Sequence, residues 1–178
     1  MVETNMSQVL NYISKYFRHH KSKQKMEFFI SNLEHPVDML TIGRIELTDL
    51  PNFFTDISAL LRAVENLYSN AVKATASEGD VAVLFAYYPE KQLQRIYIAD
   101  SGCGISAERQ TKLFQPGESG FAKTDAGGTG YGLYTNKAAM HGVGGDIELI
   151  WSKEGGGSVF CLTIPLVSND SKKALDVG

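Results

Sequence analysis

Three stretches of the chain combine residue types and spacings that can do chemistry. The first is Glu65-Asn66-Leu67-Tyr68-Ser69-Asn70-Ala71-Val72-Lys73. At about 100° per residue in a helix, Asn66, Asn70 and Lys73 fall within roughly 60° of one another, while Leu60, Val64, Leu67 and Ala71 cluster on a different face. Asparagine is a poor helix-interior residue because its side chain competes for local backbone hydrogen bonds, so two of them at i and i+4 need a reason. One reason is a wet helix face. The other is that an amide oxygen is a hard, uncharged ligand that Mg²⁺ accepts alongside phosphate oxygens, with the Lys73 amine one turn away to offset phosphate charge.

The second stretch is Asp100-Ser101-Gly102-Cys103-Gly104-Ile105, directly after a β-rich run. A carboxylate at a strand end can accept from the exocyclic amine of a base while Gly102 and Gly104 let the backbone turn closely around its ring. Taken alone, the segment favours an ordinary Asp-Gly turn. The third is Gly127-Gly128-Thr129-Gly130-Tyr131-Gly132-Leu133, which opens a helix after a glycine-rich loop. Bare glycines bring N–H groups against an anion and the helix N-terminus adds partial positive charge; a flexible linker is the competing account. Neither a Walker A loop nor a dinucleotide fingerprint is present, since GK[ST] and a directly preceding strand are both missing.

The elements that must position these residues can be read from periodicity. Val9, Leu10, Ile13, Tyr16 and Phe17 predict an amphipathic helix from Ser7 to about Lys25. Its second half carries Lys15, Arg18, Lys21, Lys23 and Lys25, which read as a solvated face or as a docking surface for an acidic partner. Strands are expected at Met26 to Ile30 and Arg44 to Leu47. A long helix should open at Asp56, capped by Asp56 or Thr55, and run to about Ala76. Val81 to Tyr88 and Leu93 to Ala99 predict antiparallel central strands joined through residues 89–92. A short helix over Ala107 to Phe114, a mobile loop over Gln115 to Thr129 and a helix over Tyr131 to Met140 follow. Strands at Asp146 to Trp151 and Ser158 to Pro165 flank Gly155-Gly156-Gly157, and residues 168–178 form a polar tail.

Composition narrows the class. With 178 residues the chain suits a single domain with a real core, and 43% hydrophobic against 21% charged residues excludes a disordered or collagen-like chain. A net charge of −3 supplies no field for general nucleic-acid binding. Neither a spanning apolar run nor a signal-peptide pattern is visible, so a soluble, cytoplasmic setting without membrane contact is expected. Two cysteines without CxxC spacing, and four histidines without HExxH spacing, predict no disulfide framework and no transition-metal site. His141 before Gly142 reads as a satisfied helix-end histidine.

Taken in order, the three stretches resemble the N, G1 and G2 boxes of the nucleotide-binding fold shared by DNA gyrase, the Hsp90 chaperone, sensor histidine kinases and the mismatch-repair MutL proteins. The chain is most similar to the catalytic, ATP-binding domain of sensor histidine kinases. ENLYSNAVKAT looks like their N box, IADSGCGI their G1 box, LFQPGES their F box, GGTGYGL their G2 box and GGDIELIWSKEGGGSVFCLTIPL their last two strands. The likeness runs from about Ser7 to Leu166, with residues 1–167 as one catalytic domain. It implies a two-layer α/β (α+β) sandwich: a mixed, mostly antiparallel sheet packed on helices on one face, with a mobile ATP lid.

The roles it implies are specific. Asn70 would hold Mg²⁺ with Asn66 supporting it, and Lys73 would reach the phosphates. Asp100 would accept from the adenine amine, Gly102, Gly104 and Ile105 would admit the purine, and Phe114 would anchor the lid. Gly128, Thr129, Gly130, Tyr131, Gly132 and Leu133 would form the lid end and helix start that approach the triphosphate. Lys123, Ser119 and Thr124 are the alternatives for a further phosphate contact. Hydrolysing and serine-phosphorylating relatives carry a glutamate four residues before the metal-binding asparagine. Here that position is Asn66, and Glu65 points about 100° away. This favours transfer to a histidine on a separate dimerisation domain or protein, and then a response regulator, since His19-His20-Lys21 and His35-Pro36 do not fit the acceptor pattern. An isolated domain of this kind should be monomeric. A superfamily ATPase or serine kinase, and a non-catalytic module retaining the fold, are the alternatives.

Overall fold

The structure, a computed structural model, describes residues 2–4, 8, 9, 12, 28–30, 53–75, 79–118 and 130–166. The expected strand at Arg44 to Leu47, the polar tail and residues 119–129 of the expected loop lie outside the described residues. So does most of the first expected helix, of which Gln8, Val9 and Tyr12 are helical.

The described residues form two sheets. Strands β1 (Val2–Thr4) and β3 (Phe53–Thr55) form an antiparallel pair that periodicity did not reveal, being three residues each. The main sheet has five strands in the order β2-β4-β5-β7-β6, comprising β2 (Phe28–Ile30), β4 (Val81–Tyr88), β5 (Leu93–Asp100), β6 (Asp146–Lys153) and β7 (Gly157–Pro165). β2 runs parallel to β4 and the other pairings are antiparallel, which is the expected mixed, mostly antiparallel sheet. Pro89–Lys91 forms one 3₁₀ turn between β4 and β5, closed by Gln92 at positive φ.

Helix α1 (Ile57–Ala74) lies across the sheet because its apolar stripe is continuous. Leu60, Ala63, Val64, Leu67 and Ala71 are buried against Val83, Phe85, Ile96, Ile98, Phe160 and Leu162, the alternate residues of three strands. The helix begins where Asp56 Oδ1 accepts from the amides of Ser58 at 2.9 Å and Ala59 at 3.1 Å, so Asp56 and not Thr55 is the cap. It ends at Ala74, two residues short of the expectation, where Thr75 turns extended and its amide and hydroxyl both bond the Ala71 carbonyl. Helix α2 is the short Ala107–Gln110, with turns carrying on to Phe114, and α3 is Gly132–His141. On the opposite sheet face Leu84, Ala86, Tyr88, Tyr97 and Cys161 form a smaller buried cluster, while Trp151 stays exposed. No helix among the described residues is long and apolar enough to cross a membrane.

Because Asp56 satisfies two of the orphan amides of α1, Asp56→Ala should lower the unfolding free energy by about 1 kcal/mol. Urea denaturation measures it, and a change within error would mean that solvent caps this end equally well.

Candidate functional site

The three chemistry-bearing stretches converge on α1. Asn66 and Asn70 are both half-buried on the helix, and Asn70 Nδ2 donates to Asn66 Oδ1 at 3.4 Å, as their i, i+4 spacing allows. Among the described residues Asn70 Oδ1 has no partner, so the bond turns the amide with its oxygen available. Asn66 in turn fills the space that Gly132 leaves: a Cβ there would lie 2.5 Å from Asn66 Nδ2. The glycine at the start of α3 thus admits the Asn66 amide, a packing reason beyond the backbone approach inferred from sequence. Lys73 is exposed one turn further on.

At the C-terminal end of α1 the helix meets the loop after β5. The Cys103 amide donates to the Ala74 carbonyl at 3.0 Å, and a Cβ on Gly102 would overlap that same carbonyl. Gly104 sits at φ +66°, where a side chain would overlap the Lys153 carbonyl, so the turn between β6 and β7 packs backbone to backbone on this loop. Gly155 adds an amide to the Cys103 carbonyl at 2.7 Å. Ile105 is buried in the core. Its amide donates to Ser152 Oγ at 2.8 Å and its carbonyl accepts from Gln110 Nε2 at 2.7 Å.

Asp100, 9% exposed, ends β5 and faces this junction. Its carboxylate accepts from the Gly102 amide at 2.9 Å and from the Ser158 amide. Burial pushes its pKa above the ordinary carboxyl value, and the two amides offset this only in part. A buried carboxylate held without a cationic partner among the described residues marks a functional-site candidate.

The third stretch is described in part. Gly128 and Thr129 lie outside the described residues. Gly130, at φ +73°, packs against Gly117, Tyr131 is exposed, and Leu133 is buried in the core. Phe114 is half-buried against the core, with Lys137 Nζ 4.7 Å above its ring. Lys137 also donates to Asp146 Oδ1 at 2.5 Å and to the Ile147 carbonyl at 2.6 Å. The His141 ring meets the same carboxylate oxygen at 2.6 Å, so this helix-end histidine is satisfied as expected. Ser158, Ser152, Gln110 and Lys137 were not singled out from sequence. Ser158 carried a readable signal: it shares the inward phase of Phe160, Leu162 and Ile164, and a polar residue at a core-facing position needs partners.

A mixed sheet with helices on one face and a loop-lined junction at its strand ends is a two-layer α/β arrangement, the fold class expected from the sequence. The chain belongs to the histidine kinase-, DNA gyrase B-, and HSP90-like ATPase family, whose model matches residues 55–168. Within that family it is similar to the catalytic, ATP-binding domains of sensor histidine kinases. It is 34% identical over 124 residues to the signal transduction histidine-protein kinase AtoS of Escherichia coli (strain K12), covering 67% of this chain and 19% of that protein. It is 33% identical over 117 residues to the sensor histidine kinase ZraS of the same strain, covering 66% and 24%. The chain spans about a fifth of the length of these curated relatives. In fold it is similar to the mycobacterial sensor histidine kinase MprB, with a TM-score of 0.69 at 20% identity over 93% of this chain and 98% of that one. It also matches full-length ShkA, solved in complex with AMPPNP, with a TM-score of 0.70 at 20% identity over 94% and 31%.

The raised pKa of Asp100 has a consequence for stability. The unfolded carboxyl ionises near pH 3.9, below the folded one, so ionisation disfavours the fold. The penalty is absent below the unfolded pKa and complete above the folded one. Relative to Asp100→Asn, the wild-type chain should therefore gain thermal stability as pH falls from 7 toward 4. Melting curves of both proteins across this range test it, and a gap that is flat with pH would mean that Asp100 is solvated in the folded state.

Proposed function

We propose that the chain binds ATP with Mg²⁺ and donates the γ-phosphoryl group to a histidine on a separate domain or protein, in two-component signal transduction. The observation that carries this reading is the joining of three segments around one helix. Asn66 and Asn70 lie on α1, Asp100 faces the loop that caps its end, and Gly132 opens α3 against Asn66.

The residues fit both groups. Asn70 Oδ1 is a hard neutral oxygen with no partner among the described residues, suited to Mg²⁺, with Asn66 holding its orientation. Asp100 is a buried acceptor suited to an exocyclic amine, and Gly102, Gly104 and Ile105 build the loop beside it. Bound Mg²⁺ supplies neutralisation of phosphate charge. Lys73 and the α3 start, with Gly128, Thr129, Gly130 and Tyr131, would hold the phosphates; Leu133 and Phe114 anchor that region in the core.

In the transfer step a neutral imidazole nitrogen attacks the γ-phosphorus in line, and the bond to the β,γ-bridging oxygen breaks to release ADP. The imidazolium then gives its remaining ring N–H proton to solvent. An imidazole needs positioning and charge stabilisation more than a general base. Glu65, the carboxylate next to Asn66, accepts from Tyr12 Oη at 2.9 Å, a contact that supports transfer over hydrolysis by occupying it on another face. The histidine-bearing acceptor and a response regulator would be the partners, with the chain acting from the cytoplasmic side.

Calorimetric titration with a non-hydrolysable ATP analogue, with and without Mg²⁺, tests the site. Asn70→Ala should abolish the Mg²⁺-dependent gain in affinity while the melting temperature stays within a few degrees. Transfer from γ-labelled ATP to histidine-containing acceptor domains should give an acid-labile, alkali-stable product and be lost in the same variant. An undiminished Mg²⁺ effect would remove Asn70 from the site, and brisk ATP turnover without an acceptor would favour the ATPase reading.

A further inference from the structure

Between Leu149 and Trp151, strand β6 carries one residue more than the segment of β7 that faces it. Leu149 faces Phe160, yet Trp151 faces Val159, so Ile150 is an inserted residue. An unbroken register would set Trp151 opposite Ser158 and turn the indole toward the helix side. With the insertion, Ser152 stands opposite Ser158, and Trp151 is turned to the other face, 47% exposed. Bulges of this kind re-aim side chains beside sites. Here the result is a row of three short polar residues across three strands, Asp100, Ser158 and Ser152. It lies next to the apolar row Ile98, Phe160 and Leu149 on the same face.

Counting hydrogens along this row fixes its polarity. A serine hydroxyl has one proton and two lone pairs. Ser152 Oγ accepts from the Ile105 amide at 2.8 Å and lies 3.0 Å from the Gly157 carbonyl, which can only accept. Its proton goes to Gly157. The remaining contact, to Ser158 Oγ at 3.1 Å, must then be a donation from Ser158 to Ser152. Every position on Ser152 is used, and Gln110, through the Ile105 carbonyl, holds the Ile105 peptide in place. Ser158, 2% exposed, is left with lone pairs and no proton to offer. Beside it the Asp100 carboxylate is also an acceptor.

We propose that Ser152 is a positioning residue that sets the base specificity of this site: by taking the Ser158 proton it leaves Ser158 and Asp100 as an acceptor-only pair. Such a pair complements the amino group of a 6-aminopurine, which offers two hydrogens, and repels the carbonyl of a 6-oxopurine, which offers none. The inference rests on the adenine-nucleotide reading of the site and deepens it. Its mutable element is the hydroxyl of Ser152, which touches no nucleotide and acts through Ser158.

The test is calorimetric titration of the full chain with non-hydrolysable ATP and GTP analogues, for wild type, Ser152→Ala, Ser158→Ala and the double variant, each checked by thermal melting. Wild type should prefer the ATP analogue. Ser152→Ala frees the Ser158 hydroxyl to donate, and the preference should fall about tenfold, the worth of one hydrogen bond. Ser158→Ala should lower it too, and the double variant should match Ser158→Ala alone, because no hydroxyl is left to orient. A purely structural role for Ser152 would weaken both analogues alike and leave their ratio unchanged, which overturns the proposal, as does an additive double variant. Should Ser152→Ala fail to fold, a full preference retained by Ser158→Ala is equally decisive against it. Wild type binding both analogues equally sinks the specificity claim and leaves the nucleotide site standing, whereas binding of neither removes both.

Discussion

The carbonyl of Ala74 is where the candidate site is fastened. A helix leaves its last carbonyls without intrahelical partners, and they must be met by solvent, by a cap or by another part of the chain. In this protein the Cys103 amide takes the last of them, and Gly102 has no Cβ because one would collide with the same carbonyl. The loop after β5 is therefore the cap of α1. Since this attachment is backbone to backbone, the spacing between the backbone of α1 and that of the loop after β5 does not depend on any side-chain rotamer. The far wall of the loop is fastened the same way, with Gly104 and Gly157 against backbone atoms of Lys153 and Asp100. Loops held by main-chain contacts on two sides are stiff, and stiffness is what a recognition surface needs to discriminate without paying an ordering cost on binding.

Against that rigid frame, the sheet changes character along its length. On the face toward α1, Ile96, Leu162 and Ile147 make one row, Ile98, Phe160 and Leu149 the next, and Asp100, Ser158 and Ser152 the last. Two rows supply hydrophobic burial and the third supplies polarity. The cost is visible in the raised pKa of Asp100, a group whose charged form the fold itself disfavours. Such a group is a candidate for a functional site. Partial compensation by two amides keeps the carboxylate oriented, with no cationic partner among the described residues.

Long periodic elements were legible in the sequence, and geometry created by short-range irregularity was not. Val81 to Tyr88 was read with its observed limits, and α1, β5, β6, β7 and α3 to within two residues, because each carries enough alternating or stripe-forming apolar residues to overdetermine its phase. β1 and β3 escaped because three residues carry no period, whereas β2, equally short, was legible only through its apolar, aromatic run. The asparagines of α1 and the Asp-Gly turn could be found because their types are unusual where they stand. Ser152 could not, since its inward direction is created by the inserted Ile150, and a one-residue insertion inverts the face of everything after it. Without the bulge, the sequence reads as Trp151 inward and Ser152 outward.

The amide at position 66 fits this packing better than a carboxylate would. Asn66 is half-buried, its Nδ2 end set against Gly132 and its Oδ1 accepting from Asn70. Both ends of a neutral amide are thus used, one by shape and one by hydrogen bonding. A carboxylate at the same place would bring charge into partial burial against a glycine backbone, and burying an unpaired charge is far more costly than burying an amide. It would also stand one helical turn from Asn70, where it would compete for any cation that Asn70 held. On the proposed reading, this chain has therefore given up a base beside the γ-phosphate for an orienting amide. On that reading the exchange would suit a nucleophile that arrives with its own lone pair on another protein.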